Sequence, residues 1–158
     1  MDFTLWLAAF GIGFSAGLRS MSAPALVSWC AHLGHLRLEG SALAFLGRAP
    51  AVAVLTLGAV GELIADKFPW IPSRITAGPL IFRFITGAVC GSALFISSGH
   101  SPATGMALGG LGAIAGAFGG YHARRSLVVK SGVPDLVVAL LEDAIAIGGA
   151  LLLLRAVA

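Results

Sequence analysis

Charged side chains inside apolar segments are the first feature of this sequence that could carry chemistry. Arg83 stands between Phe82 and Phe84, Glu62 and Asp66 are one helical turn apart in a second apolar stretch, and Glu142 and Asp143 are adjacent in a third. A charge at the centre of a membrane helix costs about 2.5–3.5 kcal/mol on insertion scales. We therefore expect Arg83 to pair with one or more of these acids inside a helical bundle.

Two interpretations of these charges stay open. In one, the ion pairs only fix the register of the helices. In the other, the charged groups line a polar cavity that binds or relays a ligand. The second interpretation is favoured because four acids are more than one arginine needs.

Two Arg-Ser pairs, Arg19-Ser20 and Arg125-Ser126, each follow a glycine-rich apolar segment. Arginine binds phosphate or carboxylate through its planar guanidinium, and a nearby serine adds a hydrogen bond. Arg125 and the neighbouring Arg124 are equally well explained as side chains that extend from a helix end towards water. Arg19 lies at a break between a long and a short apolar segment, and such breaks build substrate sites in transporters.

The composition indicates a membrane protein. Of 158 residues, 58% are hydrophobic and only 11% are charged, and the mean hydropathy is +0.95. A soluble domain needs a more highly charged surface, whereas a lipid-facing one does not. The net charge of +3 is not clustered among polar neighbours, so nucleic acid is not an expected partner. The length allows one domain, residues 1–158.

Five apolar stretches are long enough, or nearly so, to cross a bilayer core about 30 Å thick. They are Phe3–Leu18, Ala49–Phe68, Ile75–Ser97, Pro102–Tyr121 and Val133–Leu154. The shorter segment Ser22–Leu36 is predicted to be a re-entrant or interfacial helix, and a sixth span is the alternative. The predicted fold is an all-α membrane protein: a compact bundle of about five transmembrane helices plus one short helix.

Glycine pairs at four-residue spacing occur in three of these stretches. They are Gly13/Gly17, Gly87/Gly91, Gly105/Gly109 and the series Gly112/Gly116/Gly120. Such spacing places glycines on one helix face and lets two helix backbones approach closely. We expect these faces to pack within the chain, and a homo-oligomer through the same faces is a further prediction.

The two Arg-Ser pairs also indicate an internal repeat, with halves 1–74 and 75–158. Each pair is followed by a helix with two acids, so spans one and two match spans four and five. The second unit begins three membrane crossings after the first. Because three is an odd number, the second unit has the opposite orientation in the membrane, and such inverted repeats are typical of transporters. With five spans, five lysines and arginines are expected on the side of the N-terminus and four on the other side. This small excess favours a cytoplasmic N-terminus, and insertion in both orientations remains an alternative.

No sequence motif indicates an enzyme. The chain has no nucleophile-elbow, phosphate-loop or zinc-protease pattern, and its four histidines lack the spacing of a metal site. Its two cysteines are expected to pack rather than to bind metal. We therefore expect no catalytic residue, no metal and no cofactor.

Several strings resemble a family of small bacterial membrane proteins known only as a domain of unknown function. They are AGLRSMSAPALVSW (Ala16–Trp29), GELIADKFPWIPSRITAGPLIFRFITGA (Gly61–Ala88), GAFGGYHARRSL (Gly116–Leu127) and ALLEDAIAIGGALL (Ala139–Leu152). The resemblance covers most of the chain and implies a multi-pass protein of the bacterial inner membrane. It implies no activity.

The preferred function is a small transporter, channel or lipid flippase for an anionic or phosphate-bearing ligand, coupled to protons or cations. The alternatives are a membrane scaffold or assembly protein whose charges are structural, and a membrane enzyme acting on a lipid phosphate. Membrane lipids and a small solute or lipid ligand are the expected partners. The residues assigned to ligand binding are Arg19, Ser20, Glu62, Asp66, Arg83, Arg125, Glu142 and Asp143.

Overall fold

The chain folds into six α-helices, and a computed structural model describes residues 3–65 and 75–157. The helices are α1 Phe3–Leu18, α2 Ser22–His32, α3 Ala49–Ala65, α4 Ala77–Ser97, α5 Pro102–Ser131 and α6 Asp135–Val157, with a 3₁₀ turn at Ala44–Gly47. Helices α4, α5 and α6 are long and apolar enough to cross a membrane, whereas α1 and α3 are shorter apolar helices. The predicted all-α fold is confirmed for the described residues, and three of their helices are long and apolar enough to cross a membrane.

The largest differences from the predicted helix ends are in α2 and α5. Helix α4 begins two residues after the predicted start, and α6 begins two and ends three residues later than predicted. The predicted end of α3 at Phe68 lies outside the described residues. Helix α1 spans the predicted residues, but α2 ends at His32, four residues before the predicted limit. Helix α5 continues ten residues past Tyr121, because no helix-breaking residue occurs before Gly132. Gly132 adopts φ of 65°, the left-handed conformation that ends a helix. Bilayer thickness was therefore a poor guide to where α5 ends.

Glycine contacts fix how α5 packs between α1 and α4. Gly109 meets Gly87 and Gly105 meets Gly91, so α4 and α5 are antiparallel. Gly13 of α1 also meets Gly109, and further along, Gly17 meets Ala113 and Gly116, so α1 and α5 run parallel. A methyl group at any of these paired glycines would overlap a backbone carbonyl, so only glycine allows the backbones of α1, α4 and α5 to approach this closely at these positions.

Helix α2 returns towards the end of the bundle where α1 begins. The Arg37 N–H, shortly after α2, donates a hydrogen bond of 2.9 Å to Ser97 Oγ at the end of α4. His32 contacts the Gly47 carbonyl next to the start of α3 at 2.8 Å. The six helices therefore alternate in direction, and both described chain ends, Phe3 and Val157, lie at one end of the bundle.

This alternation corrects two predictions from the sequence. The helices that carry the Arg-Ser pairs, α1 and α5, are parallel rather than inverted, because α2 adds one traverse that the five-span count omitted. The N-terminus also lies at the opposite end from Arg124, Arg125 and Lys130, not at the same end. The division into halves 1–74 and 75–158 stays a prediction.

The core lies among α1, α2 and α4, and α3 is peripheral. Ile12, Val27, Leu94 and Phe95 are completely buried. In contrast, Val52 is the one fully buried residue of α3. Because α3 buries so little apolar surface, its polar contacts with the neighbouring helices matter more for its position.

Candidate functional site

The candidate site is the break between α1 and α2, which lies inside the bundle. Helix α1 ends at Leu18 and α2 begins at Ser22, and the linking residues Arg19 and Ser20 are themselves buried. A helix end leaves backbone carbonyls or N–H groups without partners in the helix. In apolar surroundings these groups need partners from elsewhere, and charged side chains provide them here.

Arg83 binds the C-terminal end of α1. Its Nη1 donates to the carbonyl oxygens of Gly17 and Leu18, each at 2.9 Å. A cation at a helix C-terminus complements the negative end of the helix dipole. Arg83 is six residues into α4, about 9 Å from the start of that helix at 1.5 Å per residue. Its side chain is buried well inside the bundle.

Glu62 binds the N-terminal end of α2. Its carboxylate accepts hydrogen bonds from the Ser20 N–H at 2.8 Å, the Ser20 hydroxyl at 2.6 Å and the Met21 N–H at 2.8 Å. An anion at this end complements the positive end of the helix dipole. Glu62 Oε1 lies 3.6 Å from Arg83 Nη2, so the expected approach of Arg83 to an acid is observed.

A second ion pair joins the break to α6. Arg19, which is only 1% exposed, places Nη2 2.5 Å from Asp143 Oδ1. The sequence places these two residues 124 positions apart, and nothing in their local pattern predicts the pairing. Arg19 thereby fixes the position of α6 against α1 at the level of the break.

A third arginine, Arg124, joins α5 to α6. Its Nε and Nη2 donate to the two Asp135 carboxylate oxygens at 2.8 and 2.7 Å. Its Nη1 lies 4.0 Å from Oε2 of the buried Glu142. From the sequence, Arg124 was interpreted either as part of an Arg-Ser junction that binds an anion or as a side chain extending to water. The residue assigned to binding in its place, Arg125, is exposed on α5.

The structure therefore brings five predicted residues to one break: Arg19, Ser20, Glu62, Arg83 and Asp143. Glu142 lies next to Asp143 but approaches Arg124, and Asp66 lies outside the described residues. The sequence set four acids against one arginine. Among the described residues, three arginines, Arg19, Arg83 and Arg124, approach the acids Glu62, Asp143, Glu142 and Asp135.

One polar group near the break remains available to a ligand. Ser22, in the first turn of α2, is 4% exposed, and its hydroxyl has no hydrogen-bond partner among the described residues. No group of three His, Cys, Asp or Glu side chains within residues 3–65 and 75–157 is arranged to hold a metal ion. The chemistry of the site is thus that of hydrogen-bond donors and ion pairs.

An apolar groove of about 570 Å³ lies between α3 and α4, close to the break. Its wall includes Pro24 of α2, Val54 and Leu55 of α3, and Thr86 and Val89 of α4. Val54 is 65% exposed, so the groove is open to the outside of the bundle.

A family model described as a domain of unknown function, DUF4126, matches residues 6–156. The chain belongs to this family. The match includes both helices of the break and every charged residue described above, as the resemblance of the strings indicated. No curated protein and no solved structure matches the chain.

Proposed function

We propose that this DUF4126 protein is a small membrane transporter for an anionic or phosphate-bearing ligand, with its site at the α1–α2 break. The observation that carries the proposal is the position of Glu62, whose carboxylate holds three donors at the buried start of α2. Discontinuous helices whose N-termini point at anionic groups are the usual substrate sites of secondary transporters. Here an internal carboxylate takes the position of such an anion.

Transport proceeds by exchange at this position. When Glu62 leaves, the Ser20 and Met21 N–H groups can donate to an incoming oxyanion, which then lies beside Arg83. Because one anion replaces another, the charge balance of the buried site is kept, which avoids the cost of an unpaired buried charge.

Coupling to protons or cations is part of this proposal. The charge that faces Glu62 among the described residues is Arg83 of α4, while Arg19 from the α1–α2 link is engaged by Asp143 of α6. Ligand flux driven by an imposed proton or cation gradient measures this coupling, and we expect Glu62→Gln to reduce it.

For the membrane arrangement, we propose that the protein lies in the bacterial inner membrane, with α3 to α6 as crossing helices. Helices α1 and α2 form a hairpin that enters from one side and turns at the break. This replaces the count of five crossings, which would place the two chain ends on opposite sides.

Flux into proteoliposomes tests the proposal. Two probes are used: uptake of radiolabelled inorganic phosphate, and movement of fluorescent phosphatidic acid between leaflets. We expect Arg83→Gln to reduce flux about tenfold or more, which corresponds to the loss of about 1.4 kcal/mol, and Glu39→Gln, a change at an exposed loop acid, to leave it unchanged. If Arg83→Gln, Glu62→Gln and Glu142→Gln remain folded and alter neither flux nor binding, the site is wrongly assigned.

A scaffold with purely structural charges is the second candidate. It is favoured by the close fit of Arg83 and Glu62 to two helix ends, which by itself explains why both charges are buried. For a scaffold, neutralising Arg83 and Glu62 together is tolerated better than either single change, and no flux of either probe is seen above protein-free vesicles.

A further inference from the structure

The α3–α4 groove lies next to the break, because residues that line it follow break residues closely along α2 and α4. Thr86, which lines the groove, is one helical turn beyond Arg83 on α4, and its hydroxyl donates to the Arg83 carbonyl at 3.0 Å. Pro24, which also lines the groove, lies in the first turns of α2, two residues after Ser22. The hydrogen-bond donors of the break thus lie next to one end of the apolar α3–α4 groove.

The dimensions and the chemistry of this surface fit one class of ligand. The groove volume of about 570 Å³ is within the range of small-molecule sites, about 300–1,000 Å³. Its lining is apolar apart from Arg48 and Thr86. It opens beside the exposed side chains Val54 and Ile85, where lipid rather than water surrounds a membrane protein. Contact with such an apolar groove does not stabilise a soluble anion, whereas an acyl chain packs well against it.

We infer that the ligand of the break is an anionic phospholipid, an assignment that rests on the proposed function. One acyl chain lies in the α3–α4 groove. The phosphate takes the position of the Glu62 carboxylate, where it accepts from the Ser20 and Met21 N–H groups and faces Arg83. A phosphate has more acceptor oxygens than a carboxylate, and the buried Ser22 hydroxyl supplies a further donor.

The position of the break explains how a lipid reaches it. Arg83 lies about 9 Å from the start of α4, and the groove residues Thr86 and Val89 continue further into the helix. A lipid from the adjacent leaflet therefore has its phosphate drawn inwards by about that distance while its chain points to the bilayer centre. Movement of α3, which buries little against the bundle, makes room for the headgroup.

Lipid binding to the purified full-length protein in detergent tests the inference by native mass spectrometry. Phosphatidic acid and phosphatidylcholine with identical acyl chains are compared. We expect phosphatidic acid to bind about tenfold more tightly, a difference of about 1.4 kcal/mol. Equal binding of the two lipids overturns the inference.

Two tryptophan substitutions on α3 separate the groove from the rest of the lipid-facing surface. Val54→Trp fills the α3–α4 groove, whereas Leu57→Trp, one turn away, fills a groove of about 460 Å³ between α2 and α3. Both side chains are largely exposed, at 65% and 72%, so both variants should fold. We expect only Val54→Trp to reduce phosphatidic acid binding, and equal effects of the two changes contradict the inference.

The result is distinguishable from failure of the proposed function. If inorganic phosphate is transported and Arg83→Gln abolishes its uptake, but phosphatidic acid binds no better than phosphatidylcholine, then the lipid assignment fails and the transport site stands. If neither probe moves and neither lipid is selected, both fail. Arg83→Lys, which keeps the charge but not the planar fork, is expected to retain part of the selectivity.

Discussion

Removing the Glu62 side chain should destabilise the bundle more than replacing it with glutamine. In Glu62→Ala, the N–H groups of Ser20 and Met21 both lose their acceptor at a buried helix end. In Glu62→Gln, the single amide oxygen can still accept from Ser20, as Oε1 does, but an NH2 group replaces Oε2 and the Met21 N–H loses its acceptor. Both variants lose the charge, so their difference reports the hydrogen bonds that one remaining oxygen provides.

The magnitudes follow from these contacts. A buried donor left without an acceptor costs about 1–3 kcal/mol, so the two N–H groups together cost about 2–6 kcal/mol in Glu62→Ala. The charge at the α2 N-terminus contributes up to about 2 kcal/mol in a partly buried geometry. We therefore expect Glu62→Gln, which leaves one N–H without an acceptor, to cost about 1–3 kcal/mol in addition to the charge contribution. Glu62→Ala should cost more, because both N–H groups lose their acceptor.

Reversible unfolding in mixed micelles measures both free energies. Glu39→Ala is the matched control, because Glu39 is an exposed loop residue, and it should change the free energy of unfolding by less than about 0.5 kcal/mol. The reasoning is refuted if Glu62→Ala and Glu62→Gln are equally mild. Such a result means that the buried N–H groups do not depend on this carboxylate.

Three other predictions follow from the described contacts. Arg19→Gln and Asp143→Asn should each destabilise the protein by about 3–5 kcal/mol, and the double variant by less than their sum, in a double-mutant cycle. Gly91→Val should abolish folding because its side chain overlaps the Gly105 carbonyl, whereas Gly61→Val, with open space around it, should fold normally by size-exclusion chromatography. Reporter fusions should place both chain ends on one side of the membrane; opposite sides refute the alternating order of helices.

The sequence predicts the individual helices well because helix formation in lipid depends on residues that are close in the chain. An apolar segment satisfies its backbone hydrogen bonds within itself, as a helix. Helix α1 was predicted residue for residue, and Pro102 at the start of α5 was identified as a first-turn residue. The glycine spacing also predicted which faces pack closely, since only glycine allows the backbones of α4 and α5 to touch. These properties depend on residues within a few turns of one another.

The sequence does not predict which charges meet. Arg83 was expected to find an acid, but the choice of Glu62 depends on the return of α2 and on the position of α3. The pairing of Arg19 with Asp143 joins residues at opposite ends of the chain. Arg124 was undervalued because its position past the predicted span suggested an exposed side chain, whereas α5 continues and approaches α6.

The direction of α2 had the largest consequence. The predicted segment Ser22–Leu36 is too short to cross a bilayer comfortably, so the sequence favoured a helix that leaves the crossing count unchanged. In the structure α2 and the segment after it return across the bundle together. Because of this additional traverse, the N-terminus lies at the opposite end of the bundle from Arg124, Arg125 and Lys130, not at the same end as predicted. For the same reason, α1 and α5 are parallel rather than inverted.

Labelling of a cysteine at the break tests most directly whether the polar interior is a path for ligands. Ser22→Cys is introduced with Cys30 and Cys90 replaced by alanine, and a membrane-impermeant maleimide is added to proteoliposomes. The account predicts slow labelling, faster labelling when Glu62→Gln releases α3, and protection by phosphatidic acid. If Ser22→Cys reacts no faster than the fully buried control Ser28→Cys, with or without Glu62→Gln, the break is closed and the transport account is contradicted.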